Sequence, residues 1–154
     1  MDLNDLISEK NILPSLKVAS KKQAIQALSE KAAKITGLDE REVFDTLLQR
    51  ERLGSTGVGQ GIAIPHGKLP NIDKITGIFA RFEKPIDFDA LDEQPVDVAF
   101  LLIAPEGAGT DHLKALAKIA RVLRNHEVIQ KIRATSDKAA IYSLLVNPPE
   151  DVAA

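Results

Sequence analysis

The residues best suited to chemistry in this chain lie between Gly54 and Lys68, GSTGVGQGIAIPHGK, which holds five of the nine glycines. Within it, His66 stands between Pro65 and Gly67. Proline fixes its own φ and pushes Ile64 towards extended geometry, so the backbone approaching the histidine is rigid. Gly67 offers no side chain to shield the imidazole. A neutral imidazole is nucleophilic near neutral pH, and a hydrogen bond to one ring nitrogen leaves the other free to attack. Such a residue can hold a phosphoryl group covalently. It can equally be a polar residue that merely ends a turn, and the Pro-His-Gly tripeptide alone does not separate the two.

An anion at His66 would need partners. Successive amides of a glycine-rich loop can converge on an anion without formal charge, which makes Gly54, Ser55, Thr56, Gly57, Gly59, Gly61 and Gly67 candidates for a phosphate-cradling loop. Arg50 is the candidate clamp, because guanidinium presents fixed donors and stays charged; an ordinary cation at a helix C-terminus is the other reading. Arg52 reads as plain surface. His112 opens the helix that follows the longest apolar run, where helix-start amides favour an anion. It could donate to phosphate on His66 if that run ends beside the glycine loop, or be a solvent-exposed first-turn residue. His126, in RNHEVI, is assigned no role.

Other chemistries fail on spacing. Gly61–Lys68 is like a Walker A loop, but five residues separate Gly61 from Gly67 where four are required, and Leu69 replaces the magnesium-holding Ser or Thr. Gly57, Gly59 and Gly61 form GxGxG before a short strand, not GxGxxG opening a helix. With no cysteine and no HExxH, thiolate chemistry is excluded and zinc has no close ligand pair. No GxSxG elbow marks a serine hydrolase. No cofactor and no metal are expected. A formal charge of -2 gives no bulk attraction to nucleic acid. MDLNDLISEK lacks a signal-peptide pattern, and Val98–Pro105 is too short to span a bilayer. The expectation is a cytoplasmic protein without nucleic-acid binding or membrane insertion.

The elements that must position these residues follow from periodicity. Leu3, Leu6 and Ile7 mark a short opening helix or irregular segment, and Pro14 precedes a strand through Leu16 and Val18. Ser20 caps a helix with Ile25, Leu28, Ala32 and Ile35 at helical spacing, ended by Gly37 in a left-handed turn. Asp39 caps a second, with Val43, Phe44, Leu47 and Leu48 inward and Arg50 in its last turns. GSTGVGQG, with four glycines in eight residues, is expected to be loop. Ile62–Ile64 is a brief strand stopped by Pro65. Ile75–Phe82 and Val96–Ala104 are the strongest strands, the second continuous enough to be covered on both faces. Thr110 or Asp111 caps a helix through HLKALAKIARVLRN, and Ser136 caps a last one through Val146. Residues 147–154 form a frayed tail. The expected fold is an α/β three-layer sandwich, a small mixed sheet flanked by helices, in a single domain over 1–154.

The block QRERLGSTGVGQGIAIPHGK resembles the signature of the fructose/mannitol-type enzyme IIA family of the bacterial phosphotransferase system. The similarity continues through PIDFDALDEQPVDVAFLLIAP into DHLKALAKIARVLRN and is strongest towards the nitrogen-regulatory enzymes IIA. The resemblance implies that His66 is the phosphorylated residue, His112 the second active-site histidine and Arg50 the arginine of the site. It implies a phosphoryl-relay protein that takes its group from an HPr/NPr-type phosphocarrier. Its phosphorylation state would then regulate target proteins in nitrogen and carbon metabolism and potassium transport, including potassium-transport or sensor-kinase components. Two alternatives stay open: a free-standing sugar-specific enzyme IIA that passes phosphate to a IIB component, and a binding module that is not phosphorylated.

Overall fold

The computed structural model describes residues 2–149. Its architecture is organised by the apolar run VDVAFLLIAP, which forms strand β6 (Val96–Pro105) at the centre of a six-stranded mixed sheet. Val98 to Ala104 are fully buried, as expected for a strand covered on both faces. On one side lies β5 (Thr76–Ile86), antiparallel, followed by β1 (Ile12–Leu16), parallel to β5. On the other side β3 (Ile62–Ala63) and β4 (His66–Leu69) follow one another along β6, both parallel to it. β2 (Gly57–Gly59) pairs antiparallel with β3 at the edge.

Helices cover both faces. Helices α1 (Lys21–Thr36) and α2 (Glu40–Arg52) pack Ile25, Leu28, Val43 and Leu47 against Ala99, Leu101 and Ile103. Helices α3 (Thr110–Arg124), α4 (His126–Arg133) and α5 (Lys138–Val146) pack Ile119, Leu123, Ile132 and Ile141 against Val98, Phe100 and Leu102. The two-residue alternation of β6 therefore feeds two cores, and each fully buried Leu, Ile or Phe contributes about 1.5–3 kcal/mol. The expected three-layer sandwich is the observed one.

Local chemistry explains most boundaries. Ser20 accepts from the Gln23 amide and Asp39 from the Glu42 amide, while Gly37 ends α1 at φ 79°. Leu3–Asp5 is a single 3-10 turn, and Leu3, Leu6 and Ile7 enter the core. Pro14 lies inside β1 instead of before it. An edge strand accommodates proline because no partner needs its missing N–H.

Four expectations need correction. GSTGVGQG is not all loop: Gly57–Gly59 forms β2, where a Cβ on Gly57 would sit 2.8 Å from that of Ala90, so glycine permits the close approach. α3 is preceded by Gly109 (φ 60°) without a side-chain cap, so neither Thr110 nor Asp111 caps it. The cap of α5 is Asp137, accepting from the Ala139 amide, one residue after Ser136. α4 was not expected as a helix. It is a short amphipathic one, capped by Asn125 and buried through Val128, Ile129 and Ile132. Of the expected frayed tail, residues 150–154 lie outside the described residues.

α4 returns a specific support to the sheet. The Arg133 guanidinium forks onto Asp97 (Nε to Oδ2 2.9 Å, Nη2 to Oδ1 2.9 Å) and also donates to the Gln60 carbonyl at 2.6 Å. Gly61 lies beneath this fork at φ 82°, where an added Cβ would meet Arg133 Nη2 and come within 2.9 Å of Asp97 Oδ1. Left-handed backbone and the crowded fork both oppose a side chain. Gly61→Ala is expected to unfold about 1–3 kcal/mol more easily in urea. An unchanged midpoint would mean that neither constraint is felt.

Candidate functional site

β3 and β4 act as one strand bent at Ile64–Pro65. The Leu102 amide donates to the Pro65 carbonyl at 2.9 Å, and pairing with β6 resumes at His66, opposite Leu102. His66 thus opens a strand of its own and is not simply the residue after one, which corrects its expected setting. Its Nδ1 lies 2.9 Å from the Ile64 carbonyl. A carbonyl can only accept, so Nδ1 carries the hydrogen and Nε2 keeps its lone pair. The bend therefore leaves Nε2 as the nitrogen able to act as a nucleophile.

Beyond β6 the chain turns at Pro105–Gly109 and enters α3, which brings His112 back to His66. The two ring centroids are 5.5 Å apart with planes tilted 56°. This juxtaposition, left open by sequence spacing, is present. His112 is not a solvent-exposed first-turn residue; it is only 6% exposed, and its Nδ1 is buried without a hydrogen-bond partner. Burial first, then the neighbouring His66 and Lys68, pushes its pKa below the ordinary histidine value. At neutral pH His112 is therefore a neutral ring with an unused polar atom.

Arg50 and His112 line one open depression with His66 and Gly67. Arg50, in the last turn of α2, is half-buried, and its Nη1 donates to the Gly54 carbonyl at 2.8 Å. Two cations not credited from the sequence join them. Lys68 lies two residues beyond His66 on β4, hence on the same face. Arg52 also lines the depression, correcting its reading as plain surface. No carboxylate lines it, so the field favours an anion. Leu53 stands 86% exposed at its rim. Lys68 was legible only to a reader who had placed β4. Nothing local in the sequence distinguished Arg52.

The loop before His66 is organised differently from expectation. The Thr56 amide donates to both oxygens of Glu51 (3.1 and 3.2 Å), the Gly57 amide to Ser55 Oγ (3.0 Å) and the Gln60 amide to Asp92 (2.9 Å). Ser55 Oγ donates to the Phe88 carbonyl. Two of these amides, those of Thr56 and Gln60, do meet anions, but the anions are the protein's own carboxylates, and the third meets a hydroxyl. The Asp92 carboxyl is held below its usual range, chiefly by the Gln60 amide. Of the seven candidate cradle residues only Gly67 lines the depression; Gly54, Ser55, Thr56, Gly57, Gly59 and Gly61 do not. Their role is to shape the approach to His66. His126 begins α4, contacts Gln130 at 3.0 Å and lies outside the depression.

Among the described residues, no group of three or more His, Cys, Asp or Glu could hold a metal ion, and no helix is long and apolar enough to cross a membrane.

With this geometry in place, similarities to known proteins are informative. The family model described as "Phosphoenolpyruvate-dependent sugar phosphotransferase system, EIIA 2" matches residues 5–147. A "Nitrogen regulatory protein" of Bradyrhizobium diazoefficiens is 60% identical, covering 99% of this chain and 100% of that protein. One of Escherichia coli K12 is 36% identical over 96% of this chain and 91% of its own length. The crystal structure of "Nitrogen Regulatory Protein IIA-Ntr" from Neisseria meningitidis superposes with a TM-score of 0.88 at 33% identity, covering 93% of this chain and 98% of that one.

The electrostatics of the histidine pair can be read directly. In a pH titration by NMR, His112 is expected to protonate below the ordinary histidine range, and Lys68→Met is expected to raise its midpoint by removing one opposing charge. The unfolded chain takes up that proton near pH 6.5, before the folded one. Stability is therefore full above about 6.5 and declines as pH falls towards the folded midpoint. An ordinary midpoint for His112 that ignores Lys68 would contradict this account.

Proposed function

This chain belongs to the phosphoenolpyruvate-dependent sugar phosphotransferase system EIIA 2 family, and from that premise we propose that it carries a phosphoryl group on Nε2 of His66. The observation that carries the proposal is the hydrogen bond between His66 Nδ1 and the Ile64 carbonyl, which leaves Nε2 as the free nucleophile in a cation-lined depression.

The step is an in-line displacement. The donor is a phosphohistidine carrier protein of the HPr/NPr type, docked over the depression. Nε2 of His66 attacks phosphorus, the P–N bond to the carrier breaks, and the carrier's imidazole leaves with the bonding pair. No proton need move. Nδ1 of His66 keeps its hydrogen, and the bond to the Ile64 carbonyl strengthens as the ring gains positive character. Because the transition state is loose, the protein chiefly orients the reactants and stabilises the equatorial oxygens. Arg50, Lys68 and His112, which line the depression with His66, are suited to that work.

The chain is a component of a phosphotransferase relay, and the names of its relatives support a regulatory role in nitrogen metabolism over a sugar-specific one. Phosphorylation adds about -1.5 to -2 charges to a depression lined by Arg50, Arg52 and Lys68. The surface offered to a target protein thereby changes sign locally, which suits a protein whose binding depends on its phosphorylation state.

Incubation with phosphorylated carrier followed by intact-mass measurement tests this. Wild type is expected to gain one phosphoryl group, and His66→Ala none while remaining folded. Arg50→Ala and His112→Ala are each expected to slow transfer by about 10²–10³-fold. Full labelling of His66→Ala on another histidine would refute the assignment, and an unchanged rate in Arg50→Ala would remove the guanidinium from the mechanism.

A further inference from the structure

Glu51 is buried deeper than any use so far given to it explains. Its side chain is 2% exposed, and a carboxylate in such a place is costly unless every lone pair is met. Its partners are the Thr56 amide, the Thr56 hydroxyl and Lys21 Nζ at 3.0 Å. All three donate to the carboxylate, which accepts at every position; a glutamine must turn its own N–H towards one of them, and only the Thr56 hydroxyl could reverse to accept it.

The contacts continue beyond Thr56. The Thr56 carbonyl accepts from the Ile64 amide at 2.9 Å, and the Ile64 carbonyl accepts from His66 Nδ1 at 2.9 Å. From Lys21 at the start of α1, an unbroken path runs through Glu51, Thr56 and Ile64 to the imidazole. Each bond fixes one peptide plane, and the next bond leaves from the neighbouring plane across a single Cα, first at Thr56 and then at Ile64. The last plane decides where the Ile64 carbonyl points, and hence which nitrogen of His66 is hydrogenated.

We infer that Glu51 is a positioning residue for His66, holding its ring in the Nδ1–H tautomer through Thr56 and Ile64. Glu51 touches neither the imidazole nor the depression around it; its effect travels through the backbone of the two residues. The consequence for transfer rate rests on the role proposed above for His66, while the tautomer does not.

The test pairs Glu51→Gln with Lys21→Met, so that no buried ammonium is left unpaired. Nitrogen-15 chemical shifts of the His66 ring report the tautomer without any carrier. Phosphoryl transfer from the phosphorylated carrier is measured beside them. In the folded double variant, the Nδ1–H form is expected to give way to a mixture of tautomers, and transfer to slow by about 10–100-fold, the usual range for groups that support a reacting histidine from behind. If the double variant does not fold, Thr56→Val removes only the hydroxyl donor and is expected to move both readouts in the same direction, with Thr56→Ser restoring them. A folded variant in which the His66 shifts stay at wild-type values overturns the inference, whatever happens to the rate. A rate that stays put despite shifted signals supports the positioning of the ring and counts against the role proposed for His66 in transfer. Absence of labelling in wild type would defeat the proposed function instead, and would leave the tautomer result standing.

Discussion

β4 and β6 run parallel with His66 opposite Leu102, and the meeting of His66, Lys68 and His112 follows from that pairing. β6 continues three residues past this point to Pro105, and α3 then doubles back over the sheet, which is how a residue forty-six positions later comes to face His66 at 5.5 Å. β4 can pair there only because the chain bends at Ile64–Pro65, where proline has no N–H to offer and the Pro65 carbonyl still finds the Leu102 amide. The same bend aims the Ile64 carbonyl at Nδ1. The meeting of the two histidines and the hydrogen bond at His66 Nδ1 are thus consequences of one strand register.

The site is held at some expense to the fold. An unpartnered buried polar atom such as Nδ1 of His112 costs about 1–3 kcal/mol, more than a typical surface ion pair returns. Lys68 on the same face adds like-charge repulsion whenever His112 protonates. An anion beside Lys68 and His112 would relieve the second. The rest of the chain offsets the loss through two apolar cores back to back on β6 and through the Arg133–Asp97 fork.

Much of this was legible in the sequence because local signals agreed with tertiary ones. Ser20, Gly37 and Asp39 mark helix ends by their own side chains or torsions, and the unbroken apolar run of β6 announces a strand buried on both faces. Arg50, His66 and His112 were identifiable by residue type and setting, although only the sheet register brings them to one depression. Two failures were one-residue slips at the caps of α3 and α5, and the others turn on distant pairing or on very short elements. β2 depends on Ala90 lying against Gly57, thirty-three residues away. β4 spans four residues and takes its order from β6. α4 has eight residues, too few for its periodicity to stand out from the end of α3. The glycine loop was read as a phosphate cradle because glycine density reports available amides and says nothing of what already occupies them.

That occupancy bears on how a relay can work. A loop of preorganised amides holds phosphate through many fixed donors at once, which suits a site meant to keep its ligand. Here the amides of Thr56 and Gln60 are taken by Glu51 and Asp92, so an anion on His66 is met chiefly by side chains. Arg50, Lys68 and Arg52 border an open depression, where solvent screens their charges and their attraction is modest. A phosphoryl group held this way would be stabilised without being trapped. A carrier must both receive and surrender the group, so the two bound states have to lie close in free energy; deep binding at either end would stop the relay. Internal carboxylates serve that balance: the glycines give the backbone its shape, Glu51 and Asp92 occupy the Thr56 and Gln60 amides, and a phosphoryl group on His66 would meet chiefly Arg50, Lys68 and Arg52.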